Sequence, residues 1–197
     1  MTDKFLTKKI PFKSMEGKFL VASPYLGDSY FEKSIIYVFA HDKNGALGVI
    51  INQKIGTIGM QDLYNLVNIK SKTRSSKKLP VLFGGPLNTE KIIALSLNKT
   101  QENLPQGNQM LNLHTDMTKF IKNVISQKEY SKFLLIKGIS AWDASQLEDE
   151  IFENSWFIMP AKLDILFSQK IKYKWNAVIK ELGLSDFNHL VSYSGEA

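Results

Sequence analysis

SIIYVFAHDKNGALGVIIN occupies positions 34–52. Ser34 to His41 and Ala46 to Asn52 are rich in β-branched and aromatic residues, which favour a pleated, half-buried surface. Asp42-Lys43-Asn44-Gly45 between them supplies the turn chemistry of a tight connection. The stretch predicts a β-hairpin. Upstream, GKFLVASP (Gly17 to Pro24) reads as a strand closed by proline, and Tyr25 to Lys33 as an irregular link. Downstream, short apolar runs over 80–83, 91–97, 110–114, 133–139, 156–159 and 163–167 read as further strands. Strands arrive mostly in neighbouring pairs, with few β-helix-β alternations, so the pattern predicts an α+β fold rather than a doubly wound parallel sheet.

Four segments carry helical spacing. Leu63, Leu66 and Val67 mark one over 60–69. Met117, Phe120, Ile121, Val124 and Ile125 form one apolar stripe over 115–126, with Thr115 as its N-cap. Asp143 caps a helix running to Glu153, with Gln146 in the capping-box position and Trp142 packing beside the cap as a staple. Trp175, Val178, Ile179 and Leu182 define a last helix, ended by Gly183.

The 197 residues suit one domain that buries its own core. Residues 1–16 read as a flexible N-terminal arm and 17–197 as a single domain, with no internal repeat or dividing linker. An apolar fraction of 44% with 22% charged excludes wholesale disorder. The absence of cysteine excludes disulfides, thiolate metal sites and a cysteine nucleophile, and fits a reducing cytoplasm. The N-terminus lacks the apolar stretch of a secretory signal, and no run approaches the roughly 20 apolar residues of a membrane helix. The reading is therefore a cytoplasmic protein with no membrane partner.

The net charge is +6, unevenly spread: residues 1–99 hold 15 Lys/Arg against 7 Asp/Glu, and residues 100–197 hold 10 against 12. The basic surplus peaks at 70–78, where Lys70, Lys72, Arg74, Lys77 and Lys78 stand without an acid. This loop is the candidate nucleic-acid contact, acting through counterion release. Arg74 is the sole arginine, and no aromatic residue interleaves in the loop for base stacking, so sequence-specific readout has little to work with.

No phosphate-binding loop or dinucleotide fingerprint is present. Gly84-Gly85-Pro86 follows a strand and reads as a tight turn, with anion cradling by its backbone as the alternative. His41, His114 and His189 lack the i, i+4 spacing of a helical zinc pair, so neither a metal nor another cofactor is expected. Gly138-Ile139-Ser140-Ala141-Trp142 lies between a strand and a helix, as a nucleophile elbow does. Ser140 would attack, His189 would take its proton and Asp164 would hold the imidazole, as in an acyl hydrolase. Against this, Trp142 stands where the elbow needs glycine.

Several of these segments, in this order, resemble the YqgE/AlgH family, a widespread bacterial group. Its opening signature matches Gly17, Leu20, Ala22, Pro24, Asp28, Phe31, His41, Gly45, Ala46, Gly48, Ile51 and Asn52. Its Gly-Gly-Pro matches Gly84 to Pro86, and its tryptophan block matches Gly138, Trp142, Gln146, Leu147, Glu148 and Glu150, followed by Asn154 and Trp156. The chain departs from the family at Ala141, where glycine is usual, and at Gln53-Lys54, where Lys-Pro is common. The resemblance implies an α+β fold whose split antiparallel/mixed sheet curls into a pseudo-barrel flanked by helices. It implies no activity, although some members are described as transcriptional regulators.

Together these readings predict a non-catalytic binding or regulatory module for a protein or small-molecule partner. Its groove would be formed by His41, Asn52, Gly84, Gly85, Pro86, Gly138, Trp142, Gln146 and Glu148, polar, glycine and aromatic residues at strand ends and turns. A nucleic-acid-associated regulator and an acyl hydrolase using Ser140 are the alternatives.

Overall fold

The computed structural model describes residues 13–27, 30–69, 76–101, 111–126, 130–168 and 170–184. Among these, nine strands form one mixed sheet that curls without closing into a barrel, with helices on its flanks. β1 (Lys18–Ala22) lies between β2 (Ile35–Asp42) and β9 (Trp156–Pro160), antiparallel to both. β2 and β3 (Gly45–Ile50) form the expected hairpin, in which Asp42 accepts the Asn44 backbone N–H at 2.7 Å. β4 (Lys54–Gly59) leads into α1 (Met60–Leu66) and pairs with β5 (Lys78–Phe83). β6 (Leu87–Asn98) pairs with the short β7 (Leu111–His114), after which α2 (Met117–Ser126) begins. β8 (Tyr130–Asp143) precedes α3 (Gln146–Phe152), and α4 (Lys174–Glu181) ends the described fold.

The sheet is split, and β8 is its seam. Residues 135–137 of β8 lie parallel to β5, and residues 130–139 pair antiparallel with β6. Residues 140–143 turn to pair with β3. The crease falls at Gly138, where the backbone takes φ +83°. There the Gly84-Gly85 backbone crosses β8 so closely that a Cβ on Gly138 would meet the Gly85 carbonyl oxygen at 2.0 Å. Glycine is required at this crossing for lack of space as well as for conformation.

Three apolar cores follow from strand alternation. In β1, Phe19 and Val21 join the largest, with Ile35, Tyr37, Leu95, Ile136 and Val178 of α4. Leu20 and Ala22 face the second, with Ile36, Val38, Trp142, Trp156 and Leu147 of α3. Both faces of β1 are buried, which explains its unbroken apolar run. The third core puts Leu63 of α1 and Phe120 and Ile121 of α2 on Ala94 and Leu135.

Local expectations were corrected in four places. Residues 163–167 are not a strand: Asp164–Ser168 form a single π-type turn. β4 was not expected. The cap of α2 is Asp116, whose Oδ1 accepts the Lys119 N–H at 3.0 Å, and not Thr115. α3 is not capped by Asp143. Asp143 ends β8, its own N–H is held by Gln146 Oε1 at 3.0 Å, and Ser145 enters the helix in a left-handed conformation. Trp142 accordingly belongs to the strand and not to a helical staple.

Candidate functional site

His41, Trp142, Gln146 and Glu148 come together beneath α3. A β-bulge in β2 brings the histidine there. Ile35, Tyr37 and Phe39 face the first core, Ile36 and Val38 the second. The register slips between Val38 and Ala40, and the extra residue turns His41 onto the face of Ile36 and Val38. Its side chain is fully buried, with Nε2 3.1 Å from Glu148 Oε1. The Met15 backbone N–H donates to Nδ1 at 2.9 Å, and Ser14 Oγ donates to the His41 carbonyl at 3.0 Å. An Nδ1 that accepts carries no proton, so the neutral ring is the Nε2–H tautomer, and Nε2 is the ring nitrogen nearer Glu148.

Glu150, one turn after Gln146 on α3, is the hub of the cluster. Its Oε2 accepts the indole N–H of Trp142 at 2.8 Å and of Trp156 at 2.7 Å. Its Oε1 accepts Gln146 Nε2 at 2.9 Å. Phe31 completes the aromatic group, stacked on Trp142 with ring centres 6.5 Å apart and edge-on to Trp156 at 5.8 Å. Charge-assisted bonds from two indoles make this a rigid joint between strand and helix.

The remaining expected groove residues lie elsewhere. Asn52 accepts the Ile35 N–H and donates to the Lys33 carbonyl, both at 2.8 Å, and so clamps the turn before β2. Gly84 and Gly85 form the backbone crossing against Gly138 and Ile139, and Pro86 follows it into β6. Ser140 is not on an elbow. It lies inside β8, is 1% exposed and donates its hydroxyl to the Gly84 carbonyl at 3.0 Å. Asp164 stands on the π-type turn, and His189 lies outside the described residues. Of the basic loop, Lys77 and Lys78 are exposed at the start of β5, while Lys70, Lys72 and Arg74 lie outside the described residues, as does Asp28.

A larger recess, of about 600 Å³, opens where the sheet fails to close. Phe39 of β2, Leu47 of β3, Ile93 of β6, Leu113 of β7 and Ile139 of β8 give it apolar walls, and Gly138 borders it. Asn88, Glu90, Lys91, Thr115 and Asp116 form its polar part. Sequence reading missed this recess, because an apolar strand residue that lines a void looks like one that packs. A second recess, of about 360 Å³, lies beside His41 between Glu16, Asp42, Leu47 and Trp142.

Among the described residues, no group of three His, Asp or Glu could hold a metal ion. No helix among them is long and apolar enough to cross a membrane.

A curled, split α+β sheet with a buried histidine and a glutamate-bridged tryptophan pair under one short helix defines a recognisable class. The family model described as AlgH-like matches residues 19–186, and the chain belongs to that family. It is 33% identical over 189 residues to a UPF0301 protein of Buchnera aphidicola, covering 93% of this chain and 98% of that one. It is 34% identical over 185 residues to a UPF0301 protein of Coxiella burnetii, covering 93% and 97%. The solution structure of the AlgH protein from Pseudomonas aeruginosa superposes with a TM-score of 0.67 at 23% identity, over the full length of both chains. A crystal structure of a Corynebacterium diphtheriae protein gives 0.65 at 19% identity, covering 88% and 91%. Both likenesses speak for the fold.

Proposed function

We propose that this chain is a non-catalytic, cytoplasmic binding module that holds a small amphipathic molecule in the 600 Å³ recess. The observation that carries this reading is the lining of that recess. Its volume falls in the usual range for small-molecule sites. Its walls are apolar strand side chains, and neither serine nor histidine is among the described residues that line it. The Asp116 carboxylate beside Thr115 is committed to the α2 cap. Two other polar groups named in the sequence reading are engaged as well: the Ser140 hydroxyl donates to a carbonyl and His41 Nδ1 accepts a backbone N–H. Among the described lining residues, Glu90 and Asp116 against Lys91 leave one net negative charge. The ligand that fits has an apolar body and a cationic head.

Amide chemical shifts followed during titration with n-hexylamine and with hexanoate test the reading. The amine is expected to move Phe39, Leu113 and Ile139, hexanoate much less, and Leu47→Trp at the border of the recess to abolish the response. Equal responses to the two compounds would remove the charge argument, and no response to either would remove the site.

A further inference from the structure

Residues 13–16 meet β2 through contacts of an unusual kind. They do not pair with the strand as a ladder. They hold the His41 carbonyl through Ser14 Oγ at 3.0 Å and the His41 ring through the Met15 N–H at 2.9 Å. The Met15 side chain packs on the second core. Regular pairing begins only at Gly17, whose N–H donates to Val38 O at 2.9 Å and whose φ is +74°. The strap therefore has a pivot at Gly17 and a catch at His41.

We infer that His41 is a proton-operated catch: protonation of its Nδ1 releases residues 13–16 from β2 and opens the recess of about 360 Å³ beside it. This concerns a different cavity from the proposed ligand recess and stands independently of it. Protonated Nδ1 is a donor and meets the Met15 N–H donor face to face, so that hydrogen bond is lost and replaced by repulsion. Among the described residues, the charged groups placed beside the ring are acidic. Glu148 of α3 lies 3.1 Å from Nε2, Glu16 of the strap and Asp42 of β2 border the same recess, and Glu150 is held by the two indoles. The imidazolium therefore keeps Glu148 as a counter-ion while its bond to the strap disappears. Among the described residues, the strap's other ties to the fold are the Ser14 Oγ bond to the His41 carbonyl and the Met15 side chain, and Ser14 and Glu16 are exposed.

The test is made on the whole wild-type chain by NMR, following the His41 ring and the protection of the Met15 amide against hydrogen exchange from about pH 7.5 to 5. The inference expects Met15 protection to fall at least about tenfold in step with ring protonation, while the Val21 amide in β1 keeps its protection. His41→Gln, neutral throughout, is expected to make Met15 protection independent of pH. The inference is overturned if the ring titrates with Met15 unchanged, or if the ring stays neutral down to about pH 5. It is equally overturned if folded His41→Gln loses Met15 protection in acid as wild type does.

Discussion

Glu150 gathers two indole N–H groups and one amide on a single carboxylate. Removing it strands two donors that are mostly out of water, since Trp142 and Trp156 are buried. Glu150→Ala is expected to cost about 3 kcal/mol by urea unfolding, with a shift in tryptophan emission. Lys174 is the opposite case. It is 1% exposed, its ammonium donates to the Leu166 carbonyl at 2.5 Å, and burial lowers its pKa from 10.5 to about 8. The unfolded chain therefore binds this proton more tightly than the folded one, so stability from this group rises with pH between about 8 and 10.5. Lys174→Met is expected to be more stable at neutral pH by about 1 to 2 kcal/mol, net of the lost hydrogen bond, with the advantage shrinking as pH rises through that window. Equilibrium unfolding of both proteins at pH 7 and near pH 10 checks the sign. Sequence reading named His41, Trp142, Gln146 and Glu148, and these four do meet. The contact to Met15 and the hub role of Glu150 were not legible. Counting alternate residues along 35–41 puts His41 on the face of Phe39, and the bulge reverses that count.

At the scale of elements, the β2–β3 hairpin was plain because apolar alternation and turn chemistry agree over one short stretch. β4 was hidden because KIGTIG carries two glycines and little burial, as suits a strand paired to β5 alone. Residues 163–167 misled in the other direction. Leu163, Ile165, Leu166 and Phe167 all pack on the first core, and consecutive residues on one side require a helical turn. The Gly84-Gly85 crossing over Gly138 admits no side chain. Gly138→Ala would place its Cβ 2.0 Å from the Gly85 carbonyl, in a backbone conformation of φ +83°. It is expected to destabilise by more than about 3 kcal/mol, or to prevent folding, as a thermal melt would read.

For the whole molecule, β8 makes one cooperative unit of two half-sheets, since β3 pairs with its end and β5 and β6 with its beginning. Unfolding followed by tryptophan fluorescence, which reports Trp142 and Trp156 beside α3 and Trp175 of α4, and by far-UV circular dichroism is expected to give one coincident transition. Two separated transitions would mean that the halves fold apart. The α+β class was legible from strand spacing, and the curled, split sheet from family resemblance. The recess was not, because its walls come from β2, β3, β6, β7 and β8, strands far apart in sequence that meet only in the folded sheet.

The seam also sets a timetable. On the ribosome, β1 to β7 are all synthesised before β8. Until β8 begins to emerge, the strands already made pair as a β1–β2–β3 meander, a β4–β5 pair and a β6–β7 pair, without the strand that joins these units. Their apolar faces and open edges wait through most of translation, the condition under which chains aggregate or engage chaperones. Synthesis of β8 joins these three units, before β9 and α4 add their side chains to the cores.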